Sequence, residues 1–256
     1  MGPPVRFSSL VRRGLRFRRR FESIKKNVAA DFAWYPYDSF VNLFAMERLR
    51  REAGLTRDEL AGGLPLLDLG TADGALAFLF ESLGMTVHAC DWSGANINHM
   101  EGVRRMAAAL GSRVEIEDVN LDAGWTPPRE YGLVLFLGTL YHLKNPFGVL
   151  EALARRARYC FLSTRVAEWS PDRAVELGRV PAAYLLAPGE LNGDTTNYWV
   201  FTPPGLVRLA ERCGWRVLSQ WRSGSRTSDP ASAAGDERQF LLLESAGDYF
   251  KSMSKS

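Results

Sequence analysis

The sequence is poor in cysteine and histidine, three of each in 256 residues, and that scarcity closes off several chemistries. Cys90, Cys160 and Cys213 lie far apart, form no C-x-x-C pair and sit in or beside apolar runs. This excludes a disulfide framework and predicts reduced, buried thiols in a cytoplasmic setting. His88, His99 and His142 fall in no Cys/His pattern with ligand spacing, so no metal site is expected. No apolar run approaches the ~20 residues of a membrane span. No Gly-Lys-Ser/Thr follows a Gly-rich turn, which excludes a P-loop. Apolar residues, at 46%, are plentiful enough for one large α/β domain or one domain with an appendage.

Charge is unevenly spread. Over residues 1–30 nine Arg and Lys stand against Glu22 alone, a local charge of +8 within a total of +3, so the remainder is mildly acidic. A strongly basic arm can meet nucleic acid or a membrane surface, carry an address, or be a solvated tail. RNA is the partner that such an arm would suit. Next comes a helical extension, residues 31–62, in which Phe40, Val41, Phe44 and Leu49 recur at helical spacing and Gly54 closes the segment.

From Leu64 the pattern alternates strand and helix: "LPLLDLG" a strand, "GALAFLFESLG" a helix, "TVHACD" a strand, Asn96–Leu110 a helix. "RVEIEDV" and "YGLVLFLGTL" are strands, "NPFGVLEALARRA" a helix and "YCFLSTR" a strand. Such alternation with near-continuous apolar strands predicts a parallel sheet covered on both faces. After Arg165 it stops. Residues 166–200 mix Pro, Gly, Asn and Asp with aromatics and are too long for an idle connection. Residues 63–246 therefore read as one α/β domain with an insertion at 166–200, followed by a tail at 247–256. Thr202 and Pro203 open a further helix, and "WRVLSQW" and "ERQFLLLES" read as closing strands around a polar, mobile loop.

The stretch "LLDLGTADGALAF" sets a carboxylate at a strand end beside a loop of small residues. A dinucleotide would want G-x-G-x-x-G, whose middle glycine admits the pyrophosphate. Ala72 stands there, and the pattern is instead Asp68, Gly70, Ala72, Gly74. A carboxylate in that place repels phosphate and welcomes a cationic amine. S-adenosylmethionine (SAM) is such a ligand, with an ammonium, a sulfonium and no phosphate. Asp91, 23 positions after Asp68 and followed by Trp92, stands where an acid would grip a ribose diol. Asp118 and Val119 end the third strand, and Gly138 ends the fourth, followed by Tyr141 and His142.

The motif resembles motif I of class I SAM-dependent methyltransferases, with alanine for the middle glycine. The resemblance implies a Rossmann-like sheet of seven mostly parallel strands with helices on both faces, SAM as cofactor, and Asp118 at the adenine amine. The stretches "LGTLYHLKNPFGVLEAL" and "NYWVFTPPGLVRLAERCGW" are further similar to the bacterial enzymes that use carboxy-SAM to carboxymethylate tRNA wobble uridine, and to their uncharacterised methyltransferase relatives. That similarity covers roughly residues 34–221. In those enzymes the tyrosine of "LYH" and N-terminal basic residues hold the extra carboxylate. Tyr141 matches, but "WYPYDSF" supplies Tyr35, Tyr37 and an acid rather than lysines, so ordinary SAM is expected.

The expected reaction is methyl transfer to O or N of a small organic acceptor. Alternatives are modification of tRNA, or a SAM-binding fold acting as a non-catalytic interaction subunit. His142 is the candidate base, since its ordinary pKa lies near neutrality, and Tyr141 would orient the acceptor. Glu168, Trp169, Asn197 and Trp199, with Tyr35 and Tyr37, are the candidate acceptor contacts, the first four in a lid formed by 166–200.

Overall fold

In a computed structural model the described residues are 8–28, 31–224, 226–231 and 236–247. Seven strands form one sheet in the order β3-β2-β1-β4-β5-β9-β8. They are β1 (Leu66–Leu69), β2 (Val87–Asp91), β3 (Glu115–Asp118), β4 (Tyr131–Leu137), β5 (Ala157–Arg165), β8 (Trp215–Ser223) and β9 (Arg238–Ser245). β1 pairs with β2, and β2 with β3, in parallel, while β9 runs antiparallel to both β5 and β8. The sheet expected from the alternation, and the seven-stranded Rossmann-like form that the resemblance implies, are therefore present. The chain divides into two compact units, residues 1–120 with 130–135, and residues 121–129 with 136–256.

In the first unit β1 is buried throughout, and α4 (Ala75–Ser82) buries six consecutive residues from Ala75 to Phe80. α4 starts on Gly74 at φ +81, where a Cβ would come within 2.3 Å of Phe78, so only glycine fits. The basic segment is no solvated arm over its described part. Ser8–Asn27 forms α1, a helix that buries Leu10, Phe17 and Phe21 while its arginines face out. Phe21 meets Phe40 edge-on at 5.9 Å and Phe78 at 6.5 Å. Residues 1–7 lie outside the described residues.

Two helical readings need correcting. In α2 (Asn42–Glu52) and the turn before it, Phe40, Leu43, Met46 and Leu49 form the buried stripe. Val41 and Phe44 are more than half exposed, because a 3₁₀ turn over Ser39–Val41 rotates the face ahead of the helix. α5 begins at Glu101, not at Asn96. The Asn96 side chain accepts from the N–H groups of Asn98 (3.1 Å) and Met100 (3.0 Å), holding a turn in place of a first helical turn. The short α3 (Arg57–Ala61) carries a capping box between Thr56 and Glu59.

In the second unit α6 (Pro146–Ala154) and α7 (Pro203–Arg212) start as their sequences dictate. Asn145 and Thr202 cap them, and a proline opens each. The insertion contains a two-stranded ribbon, β6 (Ala183–Leu185) and β7 (Trp199–Phe201), over a small core of Ala167, Leu186, Leu191 and Val200. It is held down at its start, where the N–H groups of Glu168 and Trp169 both donate to the Ser228 carbonyl. The loop between β8 and β9 is correspondingly anchored in its described part, with Ser228 and Asp229 buried. Cys90, Cys160 and Cys213 are all unpaired and buried. Among the described residues no helix is long and apolar enough to cross a membrane.

Candidate functional site

Within the first unit three acids stand at the ends of three adjacent parallel strands. Asp68, at 6% exposure, accepts from the Thr71 hydroxyl at 2.7 Å. Burial pushes its carboxyl up to about 7 against that hydrogen bond, and the nearby Asp91 adds to the rise. A buried carboxylate with a hydroxyl for company is a place that a cation would settle. Asp91 is more fully engaged. Its Oδ2 accepts from the Ala72 N–H (2.8 Å) and Asn96 Nδ2 (3.0 Å), and its Oδ1 from the Trp92 N–H (2.8 Å). Burial raises this carboxyl while those donors lower it. Ala72 sits at φ +54, a left-handed turn that aims its N–H at Asp91 and ties the Gly-rich loop to β2.

Asp118 holds the turn after β2. Its Oδ1 accepts from the Ser93 N–H at 2.9 Å, and that bond keeps its carboxyl below the usual range. The Val119 N–H donates to the Asp91 carbonyl at 2.7 Å. Trp92 is 43% exposed and lies against Gly94, where a Cβ would come within 2.6 Å of the indole. An open aromatic face beside two strand-end acids suits a flat heterocycle.

The sequence reading missed Asp73. This residue is buried in the same loop and accepts from the Tyr35 N–H (2.9 Å), Asn98 Nδ2 (2.9 Å) and Lys25 Nζ (2.8 Å). Lys25 belongs to α1, so the basic helix reaches back and locks the glycine loop. Gly102 is forced here, since a Cβ would meet Asp73 Oδ1 at 2.1 Å. Tyr35 lies beside this loop, its hydroxyl accepting from the Ile97 N–H at 3.3 Å; burial and Asp91 raise its pKa. Tyr37 is 78% exposed.

Within the second unit Gly138 (φ +79) leads into a 3₁₀ turn, Leu140–His142. The Tyr141 and His142 rings lie 4.2 Å apart, and the Arg238 guanidinium stands 5.9 Å over Tyr141. His142 Nδ1 is 2.9 Å from the Thr196 hydroxyl, which itself donates to Asp194 at 2.7 Å. A hydroxyl has one hydrogen, so Thr196 accepts from His142 and Nδ1 carries the proton. Nε2 is left with its lone pair. Burial holds the imidazole below its ordinary pKa, opposed by Asp194. Thr196, Asp194 and Arg238 carried no signal in the sequence, because they meet His142 and Tyr141 only in three dimensions.

The insertion brings its candidate residues to different ends. Glu168 pairs with Arg222, which also lies 3.6 Å from Glu237, and a Cβ on Gly178 would strike its carboxylate. Its charge is thus spent on anchoring the segment. Trp169 bridges to Glu176. Asn197 and Trp199 differ. Asn197 Nδ2 donates to the Leu191 carbonyl, but its Oδ1 and the Trp199 Nε1 are buried with no hydrogen-bond partner among the described residues. The neighbouring Tyr198 N–H donates to the Tyr141 carbonyl at 2.8 Å, fixing this stretch to the His142 turn.

Against known proteins, residues 37–220 match the family model described as a methyltransferase domain. The chain is 30% identical over 186 residues to the ubiquinone biosynthesis O-methyltransferase of Thiobacillus denitrificans, covering 71% of this chain and 76% of that one. In fold it is similar to the N-terminal domain of EvdMO1 with SAH bound (TM-score 0.54, 18% identity, 90% and 97% coverage). It is also similar to the [4+2]-cyclase SpnF (TM-score 0.57, 12% identity, 90% and 92% coverage).

Proposed function

Because the chain belongs to the methyltransferase-domain family and is a SAM-dependent methyltransferase, we propose that it methylates an oxygen or nitrogen of a small organic acceptor held by Asn197 and Trp199. The observation that carries this is the pair of buried, unpartnered polar atoms, Asn197 Oδ1 and Trp199 Nε1. Such groups cost about 1–3 kcal/mol each when left unsatisfied, and one acceptor offering a donor and a lone pair would complete both. The Thiobacillus relative is an O-methyltransferase, which supports oxygen as an acceptor atom.

SAM supplies the methyl group; the chain's part is to bind, orient and manage a proton. Asp68 suits the ammonium, Asp91 the ribose hydroxyls and Trp92 the adenine face, with Gly70 and Gly74 shaping the loop. Methyl transfer to a hydroxyl or amine leaves a proton behind. His142 is neutral, keeps its hydrogen on Nδ1 through Thr196 and Asp194, and so offers Nε2 as the base. Tyr141 would orient the acceptor, its ring lying under the Arg238 guanidinium, which Asp236 holds by an ion pair at 3.3 Å. Residues 166–200 act on this reading as the acceptor lid, with Glu168 as its anchor rather than its contact.

A second reading, RNA as the acceptor, is supported by the outward face of α1, where Arg12, Arg13, Arg16, Arg19 and Arg20 are exposed. Mass spectrometry of ligand co-purified with the protein separates SAM from carboxy-SAM. Turnover of a panel of hydroxylated and amine-bearing small acids, run beside unmodified tRNA, tests the acceptor. Methyl transfer to tRNA alone would overturn the small-molecule proposal.

A further inference from the structure

His88, Cys90 and Glu117 come together away from the loop described above, within the first unit. His88 and Cys90 are two apart on β2, so their side chains leave the same face of the strand, and Glu117 is the register partner of Cys90 on β3. Three different donor atoms converge there. His88 Nε2 lies 3.0 Å from Glu117 Oε2 and 3.4 Å from Cys90 Sγ, and the sulfur lies 3.5 Å from that same oxygen. Around a tetrahedral zinc ion, N, O and S donors at their usual bond lengths stand roughly 3.4–3.6 Å from one another. The observed triangle meets that requirement to within a few tenths of an ångström.

Two further features point the same way. The second imidazole nitrogen, Nδ1, meets the Tyr131 hydroxyl at 2.6 Å, which is the outer partner a ligating histidine needs. His88 and Cys90 are buried, whereas the Glu117 side chain is 39% exposed, which leaves one approach for an ion and a fourth ligand from water.

We propose that His88, Cys90 and Glu117 form a binding site for a zinc-like divalent cation, with water as the fourth ligand, that braces β3 against β2. A thiolate, an imidazole and a carboxylate together select against magnesium and calcium. On binding, the Cys90 thiol releases one proton to solvent. The His88 ring carries its hydrogen on Nδ1, donated to the Tyr131 oxygen, and Nε2 gives its lone pair to the cation. The brace has a functional direction. Cys90 immediately precedes Asp91, and Glu117 immediately precedes Asp118, so the cation steadies the two strand ends that carry these acids. The role is structural, and it stands whether or not SAM is the ligand at those acids.

The test uses full-length protein freed of metal. Zinc is titrated in competition with a chromophoric chelator, and cobalt is titrated with its absorption spectrum followed. The expected result is one equivalent bound, with a thiolate-to-cobalt charge-transfer band that Cys90→Ser abolishes. Glu117→Gln, a part-exposed, near-isosteric change that should leave folding intact, weakens zinc binding by at least ~10-fold, and Tyr131→Phe weakens it by about 10-fold through the lost outer partner. Zinc also raises the melting temperature of the wild type more than that of Glu117→Gln. Zinc binding of equal strength in wild type and Glu117→Gln, cobalt binding without the charge-transfer band, or no binding at all would each overturn the site and leave a hydrogen-bonded triad.

Discussion

Replacing Asp73 with asparagine tests whether the basic N-terminal helix is a working part of the cofactor loop. Asp73 is 4% exposed and its partner Lys25 13%, at 2.8 Å, so the pair is shielded from solvent. Removing one member of a buried pair costs about 3–5 kcal/mol when the other charge is stranded. Lys25 is not wholly stranded, because its ammonium already reaches the Tyr35 carbonyl at 3.3 Å and lies 5.0 Å over the Trp34 ring. Asparagine can still accept from the Tyr35 N–H through its one oxygen, but its amide nitrogen then faces the Asn98 Nδ2 donor and that bond is lost as well. The loss is then at least that of one charged hydrogen bond, about 1.5–3 kcal/mol. For a chain of this size that lowers the melting temperature by roughly 3–12 °C. A double-mutant cycle with Lys25→Met isolates the pair and should return a coupling of about 1.5–3 kcal/mol. SAM titrated into Asp73→Asn should bind more weakly, since Asp73 sits between Ala72 and Gly74 in the loop that Asp91 holds. A coupling below ~0.5 kcal/mol, with SAM affinity unchanged, would refute the idea that α1 locks the loop.

Asp91→Ala removes an acceptor of three hydrogen bonds and should weaken SAM by at least ~10-fold in a folded protein, by calorimetry; unaltered affinity would remove Asp91 from the site. Asp68, with its carboxyl pushed up to about 7, must ionise to meet an ammonium. SAM affinity should therefore climb by about tenfold per pH unit from pH 5 towards 7 and level off above, with a proton released on binding. For stability the sign is opposite: the folded chain holds this proton more tightly than the unfolded one, so Asp68 favours folding on the acid side and loses that contribution as pH rises through about 7. A flat affinity profile would exclude Asp68 as the ammonium partner. Trp199→Phe removes an N–H that has no partner among the described residues, so the melting temperature should hold or rise while turnover of the true acceptor falls. A large drop in melting temperature with parallel loss of SAM binding would instead make Trp199 a core residue.

The strand–helix alternation, the Gly-rich turn and the strand-end acids were readable from the chain alone, because each is local. Periodicity decides which face is apolar, and a turn at positive φ favours glycine, as at Gly70 and Gly74. Caps such as Thr202 and Asn145 act within three residues, so their helices began where the sequence placed them. Other features came from contacts between distant segments. Lys25 meets Asp73 across 48 positions, His142 gains its tautomer from Thr196 across 54, and His88 and Cys90 gather Glu117 from another strand. No spacing rule connects such residues. Glu168 shows the reverse: its position suggested a ligand contact, and only the folded chain set Arg222 beside it. Local chemistry determined the elements and the Gly-rich loop. Tertiary packing decided which charges are spent on holding the fold and that Asn197 Oδ1 and Trp199 Nε1 are left without a partner among the described residues, because burial and pairing exist only once the chain has closed on itself.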